Sequence, residues 1–171
     1  MTNANTCLRQ AYGCAIFLED LEAQSLSCDY LSLVSIALKE FSVAKMYLEK
    51  RAKIMEPLKD DKTSAIIYMQ LGQLHLTWKG PNSEAAEYLN KAIDLSLAHN
   101  NTQVLQMCYE YLGQIYTTTE QYELAIENLK KAMDIADESG DQQKMRVLKC
   151  SLGAAEGSLR MKNLFPPVVV K

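Results

Sequence analysis

The chain has 171 residues, 48% hydrophobic and 23% charged, which supplies both a continuous core and a solvated surface. A net charge of −3 without any block of Lys and Arg excludes the clustered cations that nucleic-acid backbones demand. No segment approaches the roughly 18 consecutive apolar residues of a membrane span, so neither nucleic acid nor membrane is an expected partner.

In chain order, residues 4–22 read as one helix, with Leu8, Ala11, Ala15 and Leu18 on a common stripe. Arg9 and the surrounding polar residues make Met1–Leu18 a poor signal peptide. By register this helix is either the second helix of a degenerate opening repeat or an N-terminal cap, and the cap is adopted. Next comes a helix carrying Cys28, Leu31, Ser32 and Ser35, then one carrying Phe41, Ala44, Leu48, Arg51 and Ile54, which Pro57 should close. The next pair carries Tyr68, Leu71, Gly72 and His75, then Ala85, Leu89, Ala92 and Leu95. Breakers at Gly80-Pro81-Asn82-Ser83 separate them, with Ser83 as the helix start ahead of Glu84 and Glu87. After Asn100-Asn101-Thr102 follow Tyr109, Leu112, Gly113 and Tyr116, then Tyr122, Ala125, Leu129, Ala132 and Ile135. Past Ser139-Gly140-Asp141, residues 141–161 repeat the first-helix signature at Leu152-Gly153. There Lys149 stands at the place of Tyr68 and Tyr109, and Glu156 at that of His75 and Tyr116, as suits a solvating cap. The tail from 162 to 171 should be extended because Pro166-Pro167 stops a helix; Phe165 and the valines could dock on a groove or partner.

The segments superimpose as an internal repeat. Gly72 to Gly113 is 41 residues and Gly113 to Gly153 is 40; Leu48, Leu89 and Leu129 keep the same steps. A small residue after Leu (Ser32, Gly72, Gly113) lets the first helix lie close to its partner. Ala44, Ala85 and Ala125 face it, and the three leucines seal each pair against the next. Such a pair cannot bury both faces alone, so neighbours must stack.

This pattern resembles the tetratricopeptide repeat family, whose Tyr-x-x-Leu-Gly-x-x-Tyr and Ala-x-x-x-Leu signature is matched best by residues 102–138. Residues 62–99 match well, while 24–56 depart from it at Ser32 and Arg51. The resemblance implies an all-α fold, a right-handed superhelical stack of antiparallel helix pairs (a TPR-like α-solenoid). Residues 1–23 would form the N-terminal helix or cap, 24–161 three helix pairs plus a capping helix, and 162–171 the tail. Extended repeats of about 40 residues are similar to those of spindle-orientation and motor-cargo adaptors.

Nothing in the sequence motivates catalysis. There is no P-loop, dinucleotide fingerprint, nucleophile elbow or zinc-protease helix, and no cofactor or metal is expected. His75 reads as a packing residue and His99 as a helix-end cation. The five cysteines read as reduced packing residues of a cytoplasmic or nuclear protein. Family register puts groove residues three before, one after and four after each small position. The nominated wall is Asp29, Leu33, Ile36, Met69, Gln73, Leu76, Glu110, Gln114 and Thr117, followed by Cys150, Ala154 and Gly157. Met69 and Glu110 replace the Lys, and Gln73 and Gln114 the Asn, that relatives use to clamp a chaperone's terminal carboxylate. Asp29 and Glu110 would repel such a terminus. The expected function is a non-enzymatic adaptor that holds an extended peptide or helix of a partner protein in the concave groove. The alternative is a structural subunit of a multiprotein or homo-oligomeric assembly.

Overall fold

The computed structural model describes residues 2–164, with side chains from Asn5 onward. Among the described residues there are eight α-helices and no strand. They are α1 (Thr2–Phe17), α2 (Leu21–Ala37), α3 (Phe41–Leu58), α4 (Asp61–Trp78), α5 (Asn82–Ala98), α6 (Thr102–Thr118), α7 (Tyr122–Glu138) and α8 (Gln142–Leu164). The turns keep strict time. A residue with positive φ follows each of the first seven helices, at Glu19, Lys39, Lys59, Lys79, Asn100, Glu120 and Gly140, in steps of 20 or 21. That conformation turns the next amide back onto the helix end: Glu40 N–H donates to Ser35 O at 2.8 Å and Asp141 N–H to Ala136 O at 3.0 Å.

Alternate helices then start differently. Asp20, Asp60, Asn101 and Asp141 each accept from the amide three residues on, capping α2, α4, α6 and α8. Glu40, Pro81 and Gln121, ahead of α3, α5 and α7, provide no side-chain cap. The caps thus mark first helices and their absence marks second helices, so two classes alternate along the chain.

Several boundaries differ from the sequence reading. The opening helix ends at Phe17, because Glu19 and Asp20 form a turn and a cap, and Leu21, Glu22 and Ala23 belong to α2. Ser83 lies inside α5 and does not cap it. Pro57 sits in the last turn of α3, which ends one residue later at Leu58. Helix α8 continues through Lys162, Asn163 and Leu164, since the proline stop acts only on the residue before Pro166. The rest of the tail, including Phe165 and the valines, lies outside the described residues.

The chain divides into two compact units, Met1–His99 and Asn100–Lys171. In the first, Ala44, Leu48, Ala52 and Met55 of α3 pack with Ile67, Leu71 and Leu74 of α4. Cys28, Leu31 and Tyr47 form a second cluster, against which Leu8 and Tyr12 of α1 rest. In the second unit, Ala125, Leu129, Ala132 and Ala136 of α7 pack with Leu148 and Ala155 of α8. Close approach within a pair is set by glycine. A Cβ on Gly72 would lie 2.5 Å from Leu89 Cγ, and one on Gly113 2.6 Å from Leu129 Cγ. Leu89 and Leu129 therefore plug onto the glycine of their own pair, besides the sealing role read from sequence. Cys28 and Cys108 are buried, but Cys7, Cys14 and Cys150 are exposed, so a packing role holds for only two of the five.

Candidate binding surface

Each unit leaves a cleft between successive first helices, floored by the leucine of the second helix that separates them. In the first unit Leu48 of α3 is the floor. Ser32, Leu33 and Ile36 of α2 form one wall, and Gln70, Gln73 and Thr77 of α4 the other, around a volume of about 240 Å³. In the second unit Leu129 of α7 is the floor. Gly113, Gln114 and Thr117 of α6 face Ser151 and Ala154 of α8 around about 340 Å³. Leu33, Gln73 and Gln114 are exposed, and all three hold the position one after the small residue. Among the described residues, no charged side chain lines either cleft.

The nominated position three before the small residue behaves otherwise. Met69 is buried, 7% exposed, and does not reach the cleft. Asp29 is bound by the Arg51 guanidinium, which also reaches Ser25 Oγ and Gln70 Oε1, both at 3.3 Å. Glu110, 9% exposed, is held by Lys144 Nζ at 2.6 Å. These positions lie one helical turn before the exposed one, and there each carboxylate meets a cation from another helix, Arg51 of α3 or Lys144 of α8. The repulsion expected from Asp29 and Glu110 is therefore cancelled locally. Leu76 is half-buried and also misses the cleft, its neighbour Thr77 taking the place instead. Thr117 lines its cleft while its hydroxyl donates back to Gly113 O at 2.7 Å. Gln70, Thr77, Thr118 and Ser151 were not nominated; the signal for them is the floor leucine, whose neighbours on both flanking helices they are.

Of the two histidines, His75 is packed in the core and His99 is exposed. His75 is 1% exposed, tilted against Tyr88 and Trp78, and among the described residues neither ring nitrogen has a hydrogen-bond partner. Burial, reinforced by Lys45, holds its pKa below the ordinary imidazole value. His99 Nε2 lies 3.0 Å from Asp61 Oδ2 at the end of α5. Burial alone pushes the Cys108 thiol up to about 12, which keeps it a protonated packing residue. Among the described residues no group of three His, Cys, Asp or Glu side chains could hold a metal ion, and no helix is long and apolar enough to cross a membrane.

The tetratricopeptide repeat family profile matches residues 108–139, spanning most of α6 and α7. Tetratricopeptide repeat protein 29 of Macaca fascicularis is 29% identical over 134 residues, covering 77% of this chain and 28% of that protein. The MAU2 chromatid cohesion factor homolog of Drosophila melanogaster is 32% identical over 101 residues, covering 59% of this chain and 16% of that protein. The chain thus spans less than a third of the length of these relatives. Among solved structures, a Podosopora anserina putative kinesin light chain with nearly identical TPR-like repeats superimposes with a TM-score of 0.77 at 15% identity, covering 95% of this chain and 80% of that one. BtubC from P. vanneervenii gives 0.69 at 16% identity over 99% of this chain and 77% of that one. Glycine-plugged helix pairs, a 40-residue period and these likenesses together give the chain a TPR-like solenoid fold, with a tetratricopeptide repeat matched at residues 108–139.

Proposed function

We propose that the chain is a non-enzymatic adaptor that binds an extended segment of a partner protein across its first-helix clefts. The carrying observation is that each cleft offers one exposed glutamine beside apolar or small side chains and no charge: Gln73 with Leu33 and Ile36, Gln114 with Ala154. An amide offers both a donor and an acceptor, the pair that a peptide backbone needs, while the neighbouring apolar surface takes side chains. A chaperone-type carboxylate clamp fits poorly. The cations nearest the nominated wall, Arg51 and Lys144, are already bound to Asp29 and Glu110, and free cleft cations are what a terminal carboxylate requires. We propose a cytoplasmic or nuclear location, in keeping with five cysteines that are all free.

The test is binding to an array of extended peptides. Gln73→Ala with Gln114→Ala removes two hydrogen-bonding amides, each contributing about 1 kcal/mol, so affinity for captured peptides should fall about tenfold or more. Helicity and melting should not change. Unchanged capture by the double variant would reject the cleft reading.

A further inference from the structure

In the second unit, the first turns of α6 and α8 and the end of α7 border a further cleft of about 440 Å³, separate from the one floored by Leu129. Gln106, Met107, Ile135, Asp141 and Lys144 are among the residues that line it. The first unit has its counterpart, also of about 440 Å³, lined by Ser25, Arg51, Asp60 and Thr63. Ser25 to Gln106, Asp60 to Asp141 and Thr63 to Lys144 are each 81 residues, so the two clefts are copies in the repeat. They differ in how the inner polar group is satisfied. In the first unit Arg51 Nε donates to Ser25 Oγ at 3.3 Å while the same guanidinium holds Asp29. In the second, Ala132 stands 81 residues after Arg51, and Lys144 takes over the carboxylate, Glu110, at 2.6 Å. Gln106 is left out. It is 8% exposed, and among the described residues its Nε2 has no hydrogen-bond partner. A buried amide donor is costly to leave unpaired, whereas a leucine of similar size would fill the place without that cost.

We propose that this pocket binds a primary carboxamide, the side chain of a glutamine or asparagine in a protein segment lying along α6. The carbonyl oxygen accepts from Gln106 Nε2. The carboxamide N–H groups donate to Asp141, which is exposed and spends only Oδ1 on capping Lys144 N–H at 2.9 Å. Met107 and Ile135, both half-buried, flank the methylenes. A carboxylate fits worse, because Lys144 is committed to Glu110 and Asp141 repels a second anion. A cationic side chain pairs with Asp141 but brings no acceptor to Gln106. Gln106, Glu110 and Gln114 recur every four residues on α6, which puts Gln106 about 12 Å along the helix from Gln114. An extended segment, at about 3.3 Å per residue, covers that distance in about four residues. The source of the carboxamide in such a segment rests on the adaptor reading; the chemistry of the pocket does not.

Titration of the isotope-labelled 171-residue chain with N-acetyl-glutamine N-methylamide, followed by amide proton–nitrogen correlation spectra, tests this. The Gln106 side-chain amide and the backbone amides of residues 139–144 should shift saturably, with a Kd of about 1–10 mM. The glutamate and norleucine counterparts of the probe should bind at least about tenfold more weakly. Gln106→Leu should lose the preference for the glutamine probe while melting no lower than wild type, because an unpaired donor has been removed. Equal binding of the three probes to wild type, or shifts that map away from Gln106, overturns the proposal, and both are read without any variant. So does a Gln106→Leu protein that keeps the preference. Free glutamine, with its ammonium and carboxylate, should bind no better than the blocked probe; binding tenfold tighter would make this a small-molecule site and overturn the protein source. Gln73 and Gln114 are intact throughout, so failure here and failure of the cleft reading are separate results.

Discussion

Alanine substitution at the three repeat glycines should give opposite results at positions the sequence pattern treats as equivalent. Gly→Ala in a helix gains about 1 kcal/mol from propensity, while overpacking a filled site costs about 1–3 kcal/mol. At Gly72 the new Cβ falls 2.5 Å from Leu89 Cγ and 3.3 Å from the backbone oxygen of Ala85. Leu89 is fully buried and backbone cannot swing aside, so the helices must separate. Net destabilisation of about 1–2 kcal/mol follows. At Gly113 all three close atoms belong to the Leu129 side chain, which can partly rotate, so the net cost should fall to between about 0 and 1 kcal/mol. At Gly153 no atom is met, and only the gain of about 1 kcal/mol remains. Urea denaturation followed by far-UV circular dichroism should rank stability as Gly153→Ala, wild type, Gly113→Ala, Gly72→Ala. A Gly72→Ala protein as stable as wild type, with an unchanged denaturant slope, would refute glycine as the spacer of the helix pair.

Two further outcomes follow from internal charges. Asp29→Ala leaves the Arg51 guanidinium, whose side chain is 12% exposed, with Ser25 and Gln70 as its partners among the described residues. It should cost about 2 kcal/mol in chemical denaturation, and Asp29→Ala with Arg51→Met should recover at least half, because the penalty is an uncompensated charge. His75 has a folded pKa below its unfolded value, so the unfolded chain binds the extra proton. Its contribution is present above the ordinary imidazole pKa of about 6.5 and is lost as pH falls through that value toward the folded pKa, and His75→Phe should flatten stability over that fall. Loss confined to pH values below about 4.5 would point instead to carboxylates such as Glu84, whose pKa is lowered by its hydrogen bond to Lys45.

The fold was legible where a sequence feature has one steric cause. Gly72 and Gly113 announce the helix contact because only glycine tolerates a leucine at that distance, and their spacing yields the repeat. The turns were less legible. Five of the seven left-handed positions are Glu19, Lys39, Lys59, Lys79 and Glu120, residues that composition assigns to exposed helix rather than to a chain reversal. At the second helix pair the reading fixed on Gly80 and Pro81, although Lys79 makes the turn and Gly80 carries the returning amide onto His75 O at 2.9 Å. The stronger signal was the run of caps at Asp20, Asp60, Asn101 and Asp141, spaced 40, 41 and 40. It would have corrected the opening helix, because a cap at Asp20 cannot lie inside a helix ending at residue 22.

The candidate surface shows why register locates a face but not the fate of each side chain on it. Positions one after the small residue stay open, since Leu33, Gln73 and Gln114 point away from both neighbours into the clefts. Positions three before it lie one turn earlier on the same helix, and whether they are free depends on residues far away in sequence. Arg51 is 22 residues from Asp29 and Lys144 is 34 from Glu110, so no local pattern reveals that the carboxylates are occupied. The consequence reaches specificity. With Asp29 and Glu110 neutralised, the clefts are neutral rather than acidic, and discrimination must come from hydrogen bonding and shape. Ligands selected by these clefts should therefore bind with little dependence on salt, whereas an acidic groove would favour basic peptides and release them as ionic strength rises.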